Sequence, residues 1–179
     1  MLRNLAAAAL VSLASSATWG AASPVTDAQW DNYFTVWAND ASATPQAVEH
    51  FYASRVNYYG REMTSAEVYQ DKVYLMRQWP IRTYRVRPGT VMTSCSENHD
   101  RCQVSLALDF LSANPARGVG AQGVASISFL LSGSEGQMKI ERENGVTVLR
   151  SSCALSGADW RQQSNWRCSD YYFPRFPSS

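Results

Sequence analysis

Few side chains in this 179-residue chain could do acid–base or nucleophilic work, and they are scattered. The two histidines are His50 and His99. His50 sits beside Phe51 on a segment with helical spacing. His99 lies in the polar stretch SENHDR. Both read as surface or otherwise satisfied histidines rather than bases. Asp109 is an acid within a strongly alternating strand, but its parity sets it opposite Leu108 and Phe110, outside the core. That placement argues against a buried general base. Asp71 and Lys72 are neighbours on a helix and cannot face each other, so each is expected to pair with the sheet or a loop. There is no Gly-x-Ser-x-Gly elbow. GVGAQG fails the spacing of a dinucleotide-binding turn and opens no helix. Arg82, Arg85 and Arg87 around Tyr84 could hold an anion, and charge protecting a strand edge explains them better. No catalytic residue is assigned.

The four cysteines, Cys95, Cys102, Cys153 and Cys168, are the strongest chemical signal. Four cysteines allow three pairings. Spacing favours Cys95–Cys102 and Cys153–Cys168, each closing a short local loop. The alternative, a metal site, lacks the two-residue cysteine spacing and has only two histidines to draw on. Structural disulfides are therefore expected, with no metal and no cofactor.

Compartment agrees with that chemistry. MLRN carries one positive charge, LAAAALVSLA is apolar, and SSATWGAAS is a tail of small residues. Gly20 and Ala22 would occupy the −3 and −1 positions of a cleavage before Ser23. Residues 1–22 read as a secretory signal peptide, too short in its apolar run to serve as a comfortable membrane span. The expected location is periplasmic or secreted, with no stable membrane anchor. Lysine plus arginine number 16 against 15 acids. That balance gives no reason to expect a nucleic-acid partner.

The elements that must position any site follow in order. Residues 26–39 read as a helix, with Thr26 and Gln29 as a capping box. Its stripe of Trp30, Tyr33, Phe34 and Trp37 could line a pocket but is read as core. Thr44-Pro45 opens a second helix running to about Arg55. Val56–Tyr59 is a short strand ended by Gly60. Thr64 and Glu67 cap a third helix, which Pro80 stops after Trp79. Val68, Leu75, Met76 and Trp79 form its expected buried face. From Ile81 the period becomes two. Strands are expected at 82–87, 91–95, 102–110, 124–131 and 137–143, with Asn144-Gly145 a turn or bulge before 146–149. NPARGVGAQG reads as a loop. Residues 150–179 form a separate aromatic extension, read as a cap tied down by the second disulfide.

Helices gathered before a run of strands argue α+β, with three N-terminal helices on a curved antiparallel sheet. FYASRVNYYG, then TSAEVYQDKVYLMRQWP, then RTYRV resemble the nuclear transport factor 2-like superfamily, which includes SnoaL-like cyclases and ketosteroid isomerase. The resemblance covers about residues 27–149, and the pattern looks like that of exported bacterial members without known catalysis. It implies a cone-shaped, cystatin-like roll over residues 23–149, with an opening between helices and concave sheet. Tyr52, Tyr59, Asp71, Tyr74, Trp79 and Tyr84 would surround that opening. Aromatics with polar tips suit a small apolar ligand. It also implies a homodimer through the convex sheet face, which would carry Gln103, Ser105, Ala107, Asp109, Val124, Ser126 and Ser128. Three functions follow. The first is a non-catalytic module holding a small ligand or a protein partner in the cone or on the aromatic tail. The second is a lyase, isomerase or cyclase using Tyr and Asp. The third is a structural or assembly subunit.

Overall fold

The computed structural model describes residues 27–134, 136–155 and 166–170. The expected signal segment, Thr26 of the first capping box and most of the aromatic extension lie outside the described residues. Helix α1, Asp27–Ala38, buries Trp30, Tyr33, Phe34 and Trp37, as their spacing requires. Helix α2, Pro45–Phe51, opens with Thr44 accepting from the Ala47 N–H and with Pro45 at its first position.

Helix α2 ends earlier than the sequence suggests. From Tyr52 the chain is already strand β1, Tyr52–Tyr58. The reason is tertiary. β1 runs parallel to β7, Lys139–Leu155, pairing Tyr52 with Ile140 and Tyr58 with Glu143. Sheet pairing overrides the local helical preference there. The hairpin to β2, Arg61–Thr64, turns through Tyr59 and Gly60, both at positive φ. Two such residues are the signature of a tight hairpin turn matched to strand twist. Helix α3, Ser65–Gln78, starts with the reciprocal cap of Thr64 and Glu67.

The remaining strands are β3, Ile81–Val86; β4, Met92–Cys95; β5, Arg101–Asn114; β6, Val119–Ser132; and β8, Trp166–Asp170. The main path of the sheet is β2-β1-β7-β6-β5-β3, with β4 also on β5 and β8 also on β7. The sheet is therefore mixed, not antiparallel throughout, because β1 and β7 are parallel. A parallel pair needs a long crossover, and nearly the whole intervening chain supplies it. GVGAQG is no loop: the turn is confined to Pro115–Gly118, and β6 begins at Val119 opposite Asn114. Asn144-Gly145 is no turn either, since β7 runs straight through it. Instead the register against β6 slips twice, leaving Glu141 and Val148 as extra residues. The residues expected on the outer face do share one: Ser105 pairs with Ser128, Ala107 with Ser126 and Asp109 with Val124.

The disulfides are Cys95–Cys102 and Cys153–Cys168. Each joins directly opposed residues of a short edge strand and a long one. Disulfides of this kind are consistent with a compartment outside the cytoplasm. No helix among the described residues is long and apolar enough to cross a membrane.

Arg82 departs from the reading of an edge charge, while Arg85 and Arg87 stay exposed. The Arg82 side chain is 1% exposed. Its Nε donates to the Trp37 carbonyl at 3.1 Å, and one terminal nitrogen donates to the Met76 and Trp79 carbonyls. The other meets the Asp40 carboxylate. The guanidinium thus satisfies carbonyls at the C-terminal ends of both α1 and α3, where a cation is favoured. Arg82→Met should lower unfolding free energy by about 2–4 kcal/mol, because several buried carbonyls lose their donors at once. Urea denaturation would show this as a lower midpoint with the slope kept. Arg82→Lys should recover only part of it, lacking the planar fork.

Candidate functional site

Four elements converge on one buried polar cluster. Glu143 comes from β7, Lys72 from α3, Tyr33 from α1 and Tyr52 from β1. Tyr33 donates its hydroxyl to Glu143 Oε2 at 2.8 Å, and Tyr52 donates to the same oxygen. Lys72 Nζ donates to the Tyr33 hydroxyl at 3.1 Å and to Glu143 Oε1 at 3.5 Å. The Lys72 and Glu143 side chains are 10% and 6% exposed. Four rings surround the ammonium: Trp37 at 4.8 Å, Tyr58 at 5.3 Å, Tyr33 at 5.4 Å and Tyr52 at 5.6 Å from their centroids.

A charged pair this deep survives only if its remaining hydrogen-bonding capacity is met. Here the carboxylate gains two hydroxyl donors, and the ammonium gains an acceptor and ring faces. Burial lowers the Lys72 pKa, and Glu143 pulls it back up. Burial raises the Tyr33, Tyr52 and Tyr58 hydroxyls, with Glu143 the next cause in each. Those tyrosines therefore stay neutral donors across the working pH range.

Lys72, Glu143 and Tyr33 form part of the lining of a cavity of about 310 Å³. Phe34, Met76, Trp79, Tyr84, Leu108, Phe110, Ala125 and Ile127 supply apolar wall. Tyr59, Leu75, Thr147 and Arg150 also line it and are exposed, which places them at the mouth. An apolar chamber with a few convergent polar groups is the usual form of a small-molecule site. A side chain at Gly145 would collide with Ile127 Cδ1 at 2.7 Å and approach the Tyr59 hydroxyl to 3.1 Å. Glycine there lets both reach the cavity.

Of the six residues read from the sequence as pocket, Tyr59, Trp79 and Tyr84 line this cavity. Tyr52 lies beneath it, reaching Glu143 from below. Asp71 points away and pairs with Arg61 at 3.1 Å. Tyr74 is 64% exposed on the outer side of α3. Asp109 pairs with Arg87 at 2.8 Å, outside the core as its parity requires. His50 is exposed at the end of α2. Glu143 and Lys72 were the residues missed as site residues. Lys72 follows Val68 and precedes Met76 at four-residue intervals, so it falls on the buried stripe of α3. Glu143 escapes simple alternation. Ile140 is inward, so parity would put Arg142 inward and Glu143 out. The extra residue at Glu141 reverses that.

No family model and no curated protein matches the chain. Solved structures do. A nuclear transport factor 2-like protein from Salmonella enterica superposes with a TM-score of 0.55 at 11% identity, covering 73% of this chain and 89% of that one. A candidate dehydratase of the NTF2-like family from Streptomyces avermitilis gives 0.54 at 12% identity, covering 68% and 94%. Bdellovibrio bacteriovorus Bd1075 gives 0.50 at 12% identity, covering 67% of this chain, which spans 39% of that longer one. Identities this low carry the architecture alone. With three helices laid on a curved, open, mixed sheet, the chain has the nuclear transport factor 2-like fold.

Proposed function

We propose that the protein is an exported binding module that holds a small, largely apolar molecule in the cavity between α1, α3 and the sheet. The observation that carries this reading is the chamber itself. It is walled by aromatic and aliphatic side chains, yet floored by a hydrogen-bonded Lys72–Glu143–tyrosine cluster. The walls favour an apolar body, and the floor can meet one polar head. Export with cleavage before Ser23, to the periplasm or outside the cell, fits the N-terminal sequence and the two disulfides. Self-association through the outer sheet face belongs to the same reading, since Met92 and Val146 stand exposed there.

A second reading is proton-transfer catalysis, as in a lyase or isomerase. One observation favours it. Glu143 faces the cavity, and its Oε1 accepts from Lys72 at the longer distance of 3.5 Å. A carboxylate so placed could remove a proton from a bound molecule.

The two readings separate experimentally. N-phenyl-1-naphthylamine, neutral and apolar, should bind the wild-type protein with enhanced fluorescence. Ala125→Phe fills the chamber and should weaken that binding by about tenfold or more while the far-UV circular dichroism spectrum is kept. Equal binding by the two proteins would place the probe elsewhere and defeat the pocket reading. For catalysis, proton NMR in D₂O should show the wild type exchanging an acidic C–H of an aromatic ketone, with Glu143→Gln exchanging it about 100-fold or more slowly. No exchange above buffer by the wild type would remove the enzymatic reading.

A further inference from the structure

We propose that Lys72 is a covalent anchor, forming an imine with aldehydes or reactive ketones that enter the cavity. The inference rests on the pocket reading above and adds to it the chemical class of the ligand head. The chain contains two lysines, Lys72 and Lys139, among 16 basic residues. One of the two is sunk in the floor of the cavity between α1, α3 and the sheet. A cation placed there only to balance Glu143 could as well be an arginine, the residue this chain uses elsewhere. An arginine cannot act as an amine nucleophile.

The surroundings fit amine chemistry. Two of the three Nζ donors go to Tyr33 and Glu143, and no other hydrogen-bond partner of Nζ exists among the described residues. The third direction is left for an incoming group. A carboxylate or phosphate head is a poor match for this floor, because Glu143 already neutralises the ammonium and would repel it. A neutral carbonyl meets no such repulsion. Burial lowers the Lys72 pKa against the pull of Glu143, which favours the uncharged, nucleophilic amine.

The step balances within the cluster. Glu143 takes one proton from the Lys72 ammonium, and the freed lone pair attacks the carbonyl carbon. The C–N bond forms as the C–O π pair moves to oxygen, which takes a proton from the newly bonded nitrogen to give a neutral carbinolamine. That hydroxyl then leaves as water, carrying the proton returned by Glu143, while the nitrogen lone pair closes the C=N bond. The net change is ammonium plus carbonyl giving protonated imine plus water, with charge conserved and Glu143 restored. No oxidant or reductant is needed. The apolar walls then limit return of water to the imine.

The test traps the imine on the full exported protein. Cinnamaldehyde with sodium cyanoborohydride is added at neutral pH, and adducts are mapped by peptide mass spectrometry. Lys72 should be labelled at least about tenfold faster than Lys139 and than free Nα-acetyllysine in the same solution. Lys72→Arg should abolish the fast adduct. Because the comparison with Lys139 is made within the wild-type protein, the test does not depend on that variant folding. Labelling of Lys72 no faster than Lys139 would overturn the proposal. If N-phenyl-1-naphthylamine is still displaced by cinnamaldehyde in that case, the covalent step alone fails. If the naphthylamine never binds the chamber, the pocket reading fails as well.

Discussion

One extra residue at Glu141 decides what the centre of this protein is made of. Without that bulge the inward side chain at the middle of β7 would be Arg142, and Glu143 would face solvent. With it, a carboxylate is driven beneath α1 and α3. A buried carboxylate cannot stand alone, so three other elements each send it a partner: Lys72, Tyr33 and Tyr52. The same contacts hold α1 and α3 over β7 and tie β1 beside it. Stability alone does not account for this arrangement. Apolar side chains of similar volume commonly serve a core as well as an ion pair does. What they cannot supply is a polar floor beneath an apolar chamber.

The second constraint is length. β5 and β7 are longer than any single neighbour on their open sides. β3 and β4 therefore lie end to end along β5, and β1 and β8 along β7. The short members β4 and β8 each carry one disulfide to the long strand. Short edge strands are a common way to keep a sheet from pairing with another chain. Strands of four and five residues have few ladder bonds to hold them, so a crosslink supplies what pairing does not. The helix-packed half of the sheet has no such staples and depends on the buried cluster and on Arg82.

Much of this was legible in the residues, and what was not has physical causes. The caps Thr44 and Thr64, the α1 stripe, the stop at Trp79-Pro80 and both cysteine pairings are local signals, written within a few residues of where they act. The parallel pairing of β1 is different, because it joins segments about 85 residues apart and no local pattern announces it. Glu143 was hidden because strand parity is read by counting, and a bulge adds one to the count. Lys72 was readable in principle, since a charge on the Val68–Met76 stripe has to be explained. Asp71, its neighbour, lies off that stripe and pairs with Arg61 outside the chamber.

Whether the α1 aromatics were core or pocket wall could not be decided from α1 itself, because they are both. Trp30 stacks on Phe129 at 4.3 Å in solid core. Phe34 and Trp37, one and two turns further on, face the cavity. The difference lies across from them. Along the inner face of β6, side chains shrink from Leu131 and Phe129 through Ile127 to Ala125 and Ala121. β5 ends its own inward series, Leu106, Leu108 and Phe110, at Ser112. A helix with large residues throughout, laid over a sheet whose residues taper, must touch at one end and gape at the other. The chamber is the volume the small residues leave unfilled, and its polar floor sits where the taper begins. An aromatic stripe therefore carries no functional meaning until it is read against the size of the residues that face it.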